Sequence, residues 1–221
     1  MELAALYSGG KDSTYALYLA QQGGMEVTEL VTVLPQEASM MYQVPNVEWT
    51  ALSAEALGIP HRTVRSAQGE EAELRAMRRG LEETTATGVV VGAVASDYQF
   101  ARVHQVCEAL GLWVYAPLWR KDPLKLLREY VDAGFSILIV AVSAEGLGPS
   151  WLGRTLNEEA IRDLQRLHDT YGVHLAGEGG EFETWVVDGP NFRARIDVRQ
   201  ADAHWEGTSG TYVVRKAALE S

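Results

Sequence analysis

The chain has 221 residues, of which 47% are hydrophobic and 22% charged, with one cysteine and a formal net charge of -11. That length fits one large or two small domains with a sizeable buried core, and a single cysteine excludes an internal disulfide and a thiolate metal cluster. The acidic balance opposes stable nucleic-acid binding, which asks for a basic face, and no apolar run or leader suits a membrane span or a secretion signal, so the expected address is cytoplasmic.

The apolar run Leu3 to Leu6 predicts a strand, and Ala16, Leu17 and Ala20 predict a helix from Ser13 to the Gly23-Gly24 pair. Between them stands Tyr7-Ser8-Gly9-Gly10-Lys11-Asp12-Ser13. Gly9 and Gly10 allow a sharp turn and close approach of a ligand, and the first N–H groups of the helix point into the loop. Ser8 and Ser13 add hydroxyl donors and Lys11 adds a positive charge suited to phosphate. The spacing is neither G-x-x-x-x-G-K-[ST] nor G-x-G-x-x-G. An ordinary strand-to-helix turn rich in Gly and Ser is the competing reading. The hexapeptide Ser8 to Ser13 resembles the signature of the PP-loop ATP pyrophosphatases, which implies ATP held by its β and γ phosphates and cleaved between α and β.

A second strand is expected over Val27 to Leu34, stopped at Pro35, followed by a loop from Gln36 to Asn46 with no clean period. Asn46 is expected to cap a helix carrying Trp49, Leu52 and Ala56, closed by Gly58 and Pro60. A short strand, Arg62 to Arg65, precedes a helix over about Gly69 to Thr87 with Leu74, Met77 and Leu81 inward. Arg75, Arg78 and Arg79 on that helix read as a solvated face ahead of a nucleic-acid patch. Val89 to Ala95 is a continuous apolar run, as expected of a parallel strand buried on both faces.

Ser96-Asp97-Tyr98-Gln99 closes that run and opens a helix on which Cys107 shares a stripe with Val103, Val106 and Leu110, a core thiol rather than a nucleophile. Trp113 to Ala116 is a further strand, leading into Pro117-Leu118-Trp119. The alternation predicts an α/β fold, a doubly wound parallel sheet of order 3-2-1-4-5 with a second, smaller α+β domain. In such a sheet the loops after strands 1 and 4 flank the topological switch point, so Ser8 to Ser13 and Ser96 to Arg102 face one crevice.

After Trp119 the texture changes. A helix Pro123 to Ala133 and a strand Ser136 to Val142 lead into a glycine-containing loop, Ser143 to Arg154, that suits a substrate segment or a plain connector. Asn157 caps a helix with Ile161, Leu164 and Tyr171 on one stripe and His168 beside it. Thr184 to Val214 alternates like antiparallel strands around the turn Asp188-Gly189-Pro190-Asn191. The expected division is 1–121 and 122–221.

Glu178, Glu181 and Glu183 lie within the glycine-rich run Gly177 to Thr184. Three carboxylates this close repel one another unless solvent, a cation or a basic partner offsets the repulsion. They suit Mg2+, a cationic substrate or proton removal, with an acidic surface turn as the alternative.

Six segments together resemble the diphthine-ammonia ligase family in its short archaeal-type form: Ser8 to Ser13, Gly92 to Gln99 with Arg102, Cys107 to Leu112, Pro117 to Trp119, Trp151 to Arg154, and Glu178 to Thr184. They occur in the family's order along nearly the whole chain. The departures are Gln43 and His104, where members often carry His and Glu.

The resemblance implies ATP-dependent amidation of diphthine, a modified histidine on translation elongation factor 2 that carries a carboxylate and a trimethylammonium group. The carboxylate is activated as an acyl-adenylate, and AMP and pyrophosphate are released. Ser8, Gly9, Gly10, Lys11, Asp12, Ser13, Ser96 and Asp97 are then the ATP-binding residues, with Asp12 the first candidate for Mg2+ and the adenine near Val31 to Leu34. Lys11 and Asp12 serve catalysis, and Glu178, Glu181 and Glu183 serve ammonium. Tyr98, Gln99, Arg102, Trp119 and Trp151 fall on the substrate side, where the Tyr98, Trp119 and Trp151 rings suit a trimethylammonium. No glutaminase segment is visible, so ammonium is free or comes from a separate donor, and a homodimer is compatible with the sequence. The competing readings are a PP-loop ligase for another carboxylate or small metabolite, and a non-catalytic sensor of ATP or AMP.

Overall fold

In the first half of the chain, strands alternate with helices. These are β1 (Glu2–Leu6), α1 (Lys11–Gln22), β2 (Glu26–Pro35), α2 (Thr50–Leu57), β3 (His61–Ser66), α3 (Glu70–Glu82), β4 (Gly88–Val90), α4 (Asp97–Ala109) and β5 (Trp113–Tyr115). The computed structural model describes residues 1–35, 46–67 and 69–220, apart from the side chain of Gln99. The loop expected over 36–46, with Gln43, lies outside the described residues except for Asn46.

The five strands form a parallel sheet of order β3-β2-β1-β4-β5, the order expected from the alternation. Leu3, Ala4, Ala5, Val89 and Val90 are almost wholly buried, as strands covered on both faces require. β2 outruns β1: Leu6 is level with Val31, Tyr7 N–H donates to the Val31 carbonyl at 2.9 Å, and β2 continues to Pro35. That overhang leaves one side of the β2 end open beside the β1–α1 turn.

β4 is shorter than its apolar run predicts. Only Gly88 to Val90 pairs as strand, although Val91 and Val94 are also buried. Gly92 passes so close to the start of α1 that a Cβ there would lie 2.6 Å from the Asp12 carbonyl carbon and the Ser13 nitrogen. Apolar residues 91–94 therefore pack as irregular chain across the helix start, a role that hydrophobicity alone does not separate from a strand.

Asn46 also departs from expectation. It precedes a short 3-10 turn with φ at 71° and makes no side-chain cap bond. Its amide is spent on the far end of the chain, donating to the Tyr212 carbonyl and accepting from Val214 N–H, both at 2.8 Å.

The second half contains α5 (Pro123–Asp132), β6 (Ser136–Val142), α6 (Glu158–Tyr171), β7 (Phe182–Asp188), β8 (Ile196–Glu206) and β9 (Ser209–Leu219). Its sheet runs β7-β6-β9-β8, with β6 antiparallel to β7 and β9, and β9 antiparallel to β8. β7 and β8 are thus the two edges, and the Asp188–Asn191 turn is a crossover rather than the hairpin its sequence suggests. The true hairpin joins β8 to β9 through Gly207, whose φ of 63° suits glycine.

Asn157 caps α6 as expected, its side chain accepting from Ala160 N–H at 2.9 Å. Ala160, Ile161 and Leu164 form the buried stripe. Tyr171, expected on it, is half exposed, because the last turn of α6 runs past the core and its ring rests near Gly146. One buried cluster passes through both halves, joining Leu3, Leu17 and Leu30 to Leu126, Tyr130, Ile139 and Phe182. The second sheet is consequently held against the β1–α1 turn.

Candidate active site

The β1–α1 turn is shaped by Gly9, with φ at 78°. The Ser8 and Ser13 hydroxyl oxygens are 3.1 Å apart, Ser8 N–H donates to Ser13 Oγ at 3.3 Å, and Gly10 N–H donates to Ser8 Oγ at 3.4 Å. Two further contacts come from β7. Val186 N–H donates to the Gly9 carbonyl at 2.9 Å, and Lys11 N–H donates to Thr184 Oγ1 at 3.1 Å. The loop is therefore clasped by the edge strand of the other sheet. Thr184 closes the glutamate run, but its part in the loop spans a separation of 173 residues that no local pattern shows.

Lys11 is 4% exposed. Its ammonium donates to Asp12 Oδ2 and to the Ala176 carbonyl, both at 2.7 Å, and lies 5.3 Å from the centre of the Phe182 ring. The other Asp12 oxygen, Oδ1, accepts from the Tyr130 hydroxyl at 2.5 Å. Tyr130 is fully buried, and desolvation first, then the Asp12 charge and hydrogen bond, hold its phenol well above the usual 10.0. It thus remains a proton donor. Sequence reasoning missed Tyr130, which looks like any aromatic on the apolar face of a helix.

A cleft of about 540 Å3 opens beside this loop. Its walls are Ser8 and Gly10 to Ser13, the end of β2 from Val31 to Val33, Gly92 and Val103, and from the other half Glu178, Glu183 and Thr184. The three glutamates part company. Glu178 Oε2 accepts from Ala95 N–H at 3.1 Å, tying the 91–96 segment to the second half. Glu181 accepts from His174 N–H at 3.2 Å and Gly179 N–H at 2.9 Å, closing its own turn away from the cleft lining.

Glu183 faces the cleft. It keeps solvent contact through the mouth, yet the surrounding protein desolvates its carboxyl and pushes it above the usual 4.5, against the opposing pull of Lys11 and with the Asp12 charge adding to the rise.

Other expected residues lie outside this lining. The Gly9 carbonyl is turned to Val186, and Asp97 pairs with Arg120 at 2.7 Å. Ser96 stands just before α4. Tyr98 is 57% exposed, with the Arg102 guanidinium 4.3 Å from its ring centre and Arg102 paired in turn with Glu70. Trp119 stacks on Phe100 at 4.3 Å and has Arg120 at 5.5 Å. Trp151 is buried in the core with Arg154 at 4.5 Å. Each of the three rings expected to receive a trimethylammonium thus already carries an arginine. Gln99 lies in the first turn of α4. Cys107 is buried, and desolvation pushes its thiol up to about 11, as a core cysteine requires.

Among the described residues no three His, Cys, Asp or Glu side chains converge on a metal position. Mg2+ bound with nucleotide phosphates needs only one or two protein carboxylates, and Asp12 at the cleft wall fits that requirement.

A parallel 3-2-1-4-5 sheet with a Ser-Gly-Gly-Lys-Asp-Ser loop at its switch point defines a doubly wound nucleotide-binding protein of the PP-loop type. Family models described as the diphthamide synthase N-terminal and C-terminal domains match residues 1–114 and 122–219, and the chain belongs to this family. The diphthine–ammonia ligase of Danio rerio is 36% identical over 219 residues, covering 89% of this chain and 86% of that protein. The Homo sapiens diphthine–ammonia ligase is 35% identical over 226 residues, covering 91% and 84%. A solved structure described as a predicted subunit of tRNA methyltransferase from Methanocaldococcus jannaschii is 16% identical with a TM-score of 0.43, covering 86% of this chain and 99% of that one.

Proposed function

We propose that the protein is an ATP-dependent, amide-forming ligase that converts diphthine on translation elongation factor 2 to diphthamide, taking nitrogen from ammonium and releasing AMP and pyrophosphate. Within the family frame, one observation carries the reading: the phosphate-type loop and an elevated carboxyl from the opposite half, Glu183, line the same cleft.

In the first step the substrate carboxylate attacks the α-phosphorus of ATP, forming an acyl-adenylate as the bond to pyrophosphate breaks. Charge grows on the leaving oxygens, and the loop N–H groups, the Ser8 and Ser13 hydroxyls and the Lys11 ammonium are grouped to stabilise it. Mg2+, were it held at Asp12, would supply further charge neutralisation at the phosphates. The overhanging end of β2 suits the adenine. Val31 turns its carbonyl to Tyr7, so the alternation of the strand aims the Val33 N–H and C=O to the same side, past the end of β1.

In the second step ammonia attacks the acyl carbon and AMP leaves. Ammonium must first lose a proton, and Glu183 is the carboxylate of the three that faces the cleft without being committed to a turn or to Ala95. Its raised proton affinity brings it closer to the task of a general base. Glu178 and Glu181 act through the backbone, holding the walls of the site. A trimethylammonium on Tyr98, the most exposed of the expected rings, would have to displace the Arg102 guanidinium from its face.

The test is ATP-to-AMP turnover with diphthine-bearing elongation factor and ammonium. Lys11→Ala and Asp12→Ala each lower it by about 100-fold or more, the scale of losing one transition-state charge partner. Turnover retained by either variant removes the phosphate-loop assignment.

A further inference from the structure

We propose that Tyr130 of α5 is a positioning residue for Asp12: its phenol occupies Oδ1 and thereby assigns Oδ2 as the oxygen offered to Lys11 and to the divalent cation that accompanies ATP. This rests on the functional reading above and extends it to a residue outside every motif of the sequence.

Tyr130 is 0% exposed, and a buried hydroxyl requires a partner. Its partner is not a core carbonyl but Asp12, whose side chain is 24% exposed at the cleft wall. The bond therefore runs from the core into the site.

The phenol is also held from behind. Its ring meets Tyr15 edge-on at 4.9 Å, and the preceding residue, Glu129, accepts from Tyr15 at 3.4 Å and from Lys121 at 2.5 Å. α5 is thus anchored on α1 through Tyr15 and Asp12 together, and the Tyr130 oxygen has no freedom to follow a rotating carboxylate. An Asp12 without that donor is free to turn both oxygens toward the Lys11 ammonium, 2.7 Å from Oδ2, in competition with a cation. Donors that orient a ligating carboxylate influence metal affinity strongly.

The experiment uses Mn2+ in place of Mg2+ and α,β-methylene ATP, which is not cleaved at the reacting bond, with free Mn2+ followed by electron paramagnetic resonance. Tyr130→Phe keeps the ring and removes only the oxygen, and Tyr15→Phe is the control for general loosening of the aromatic cluster. The expected result is Mn2+ binding weakened about tenfold in Tyr130→Phe, with metal-free binding of the analogue unchanged and Tyr15→Phe like the parent. Parent-like Mn2+ affinity in Tyr130→Phe overturns the proposal, as does an equal loss in Tyr15→Phe. Should Tyr130→Phe not fold, 4-fluorophenylalanine in place of Tyr130 fills the space of the oxygen without its proton, and a parent-like Mn2+ affinity there overturns the proposal too. If the unaltered protein binds no Mn2+–analogue complex, the functional reading itself falls, and the proposal with it.

Discussion

Glu178, Glu181 and Glu183 stand within one short run, and their environments separate them. From sequence the three are equivalent carboxylates that repel one another. In the fold, backbone N–H groups take up two of them, and Glu183 is left facing Lys11 and Asp12 across the cleft. Because its carboxyl is raised in the folded state, the folded protein holds that proton more tightly than the unfolded chain. The stability it contributes is fully present below the usual 4.5 and is lost as pH rises through the raised value. Glu183→Gln therefore melts higher than the parent at about pH 8, by a margin that shrinks toward about pH 5. The same variant accumulates adenylate without amide. A margin that grows on acidification, or adenylate and amide formation falling together, contradicts the assignment. Tyr130 and Thr184 were not legible at this scale, since their partners Asp12 and Lys11 lie 118 and 173 residues away.

At the scale of elements, most of the first sheet was readable because β1 and β4 are short apolar runs and α3 has an amphipathic stripe. The failures are those where apolar character serves another purpose. Val91 and Val94 are buried although residues 91–94 lie outside the strand, since Gly92 lets the chain cross the start of α1 at a distance no Cβ tolerates. Gly92→Ala must push against the backbone of Asp12 and Ser13, an overpacking cost of about 1–3 kcal/mol. For a chain of this size that lowers the melting temperature by about 2–12 °C, and the displaced loop loses ATP turnover. Gly148→Ala is the control, because an added Cβ there meets nothing within 4 Å. Equal behaviour of the two variants in calorimetry and turnover contradicts a close-approach role for Gly92. Asn46 has the same lesson: a cap by composition, its amide instead pins β9.

For the whole molecule, the alternation of strands and helices revealed the parallel sheet and its switch point, but not the order of the second sheet. The pairing β7-β6-β9-β8 joins strands across a crossover, and local alternation cannot tell that from a hairpin. Nor did composition show that the two sheets share one buried cluster. That continuity is what brings Thr184, Val186 and Tyr130 to the β1–α1 turn and Glu183 to the cleft, so the site belongs to both halves.

In the proposed activity, this shared cleft couples cleavage of ATP to amidation of a protein-bound carboxylate. The most direct measurement incubates the protein with diphthine-bearing elongation factor 2, ATP, Mg2+ and ammonium, following AMP together with the intact mass of the factor. AMP is expected to appear in step with conversion of the carboxylate to the carboxamide, and neither is expected when the factor or ATP is left out. A factor whose mass stays that of the carboxylate, whether or not ATP is consumed, contradicts it.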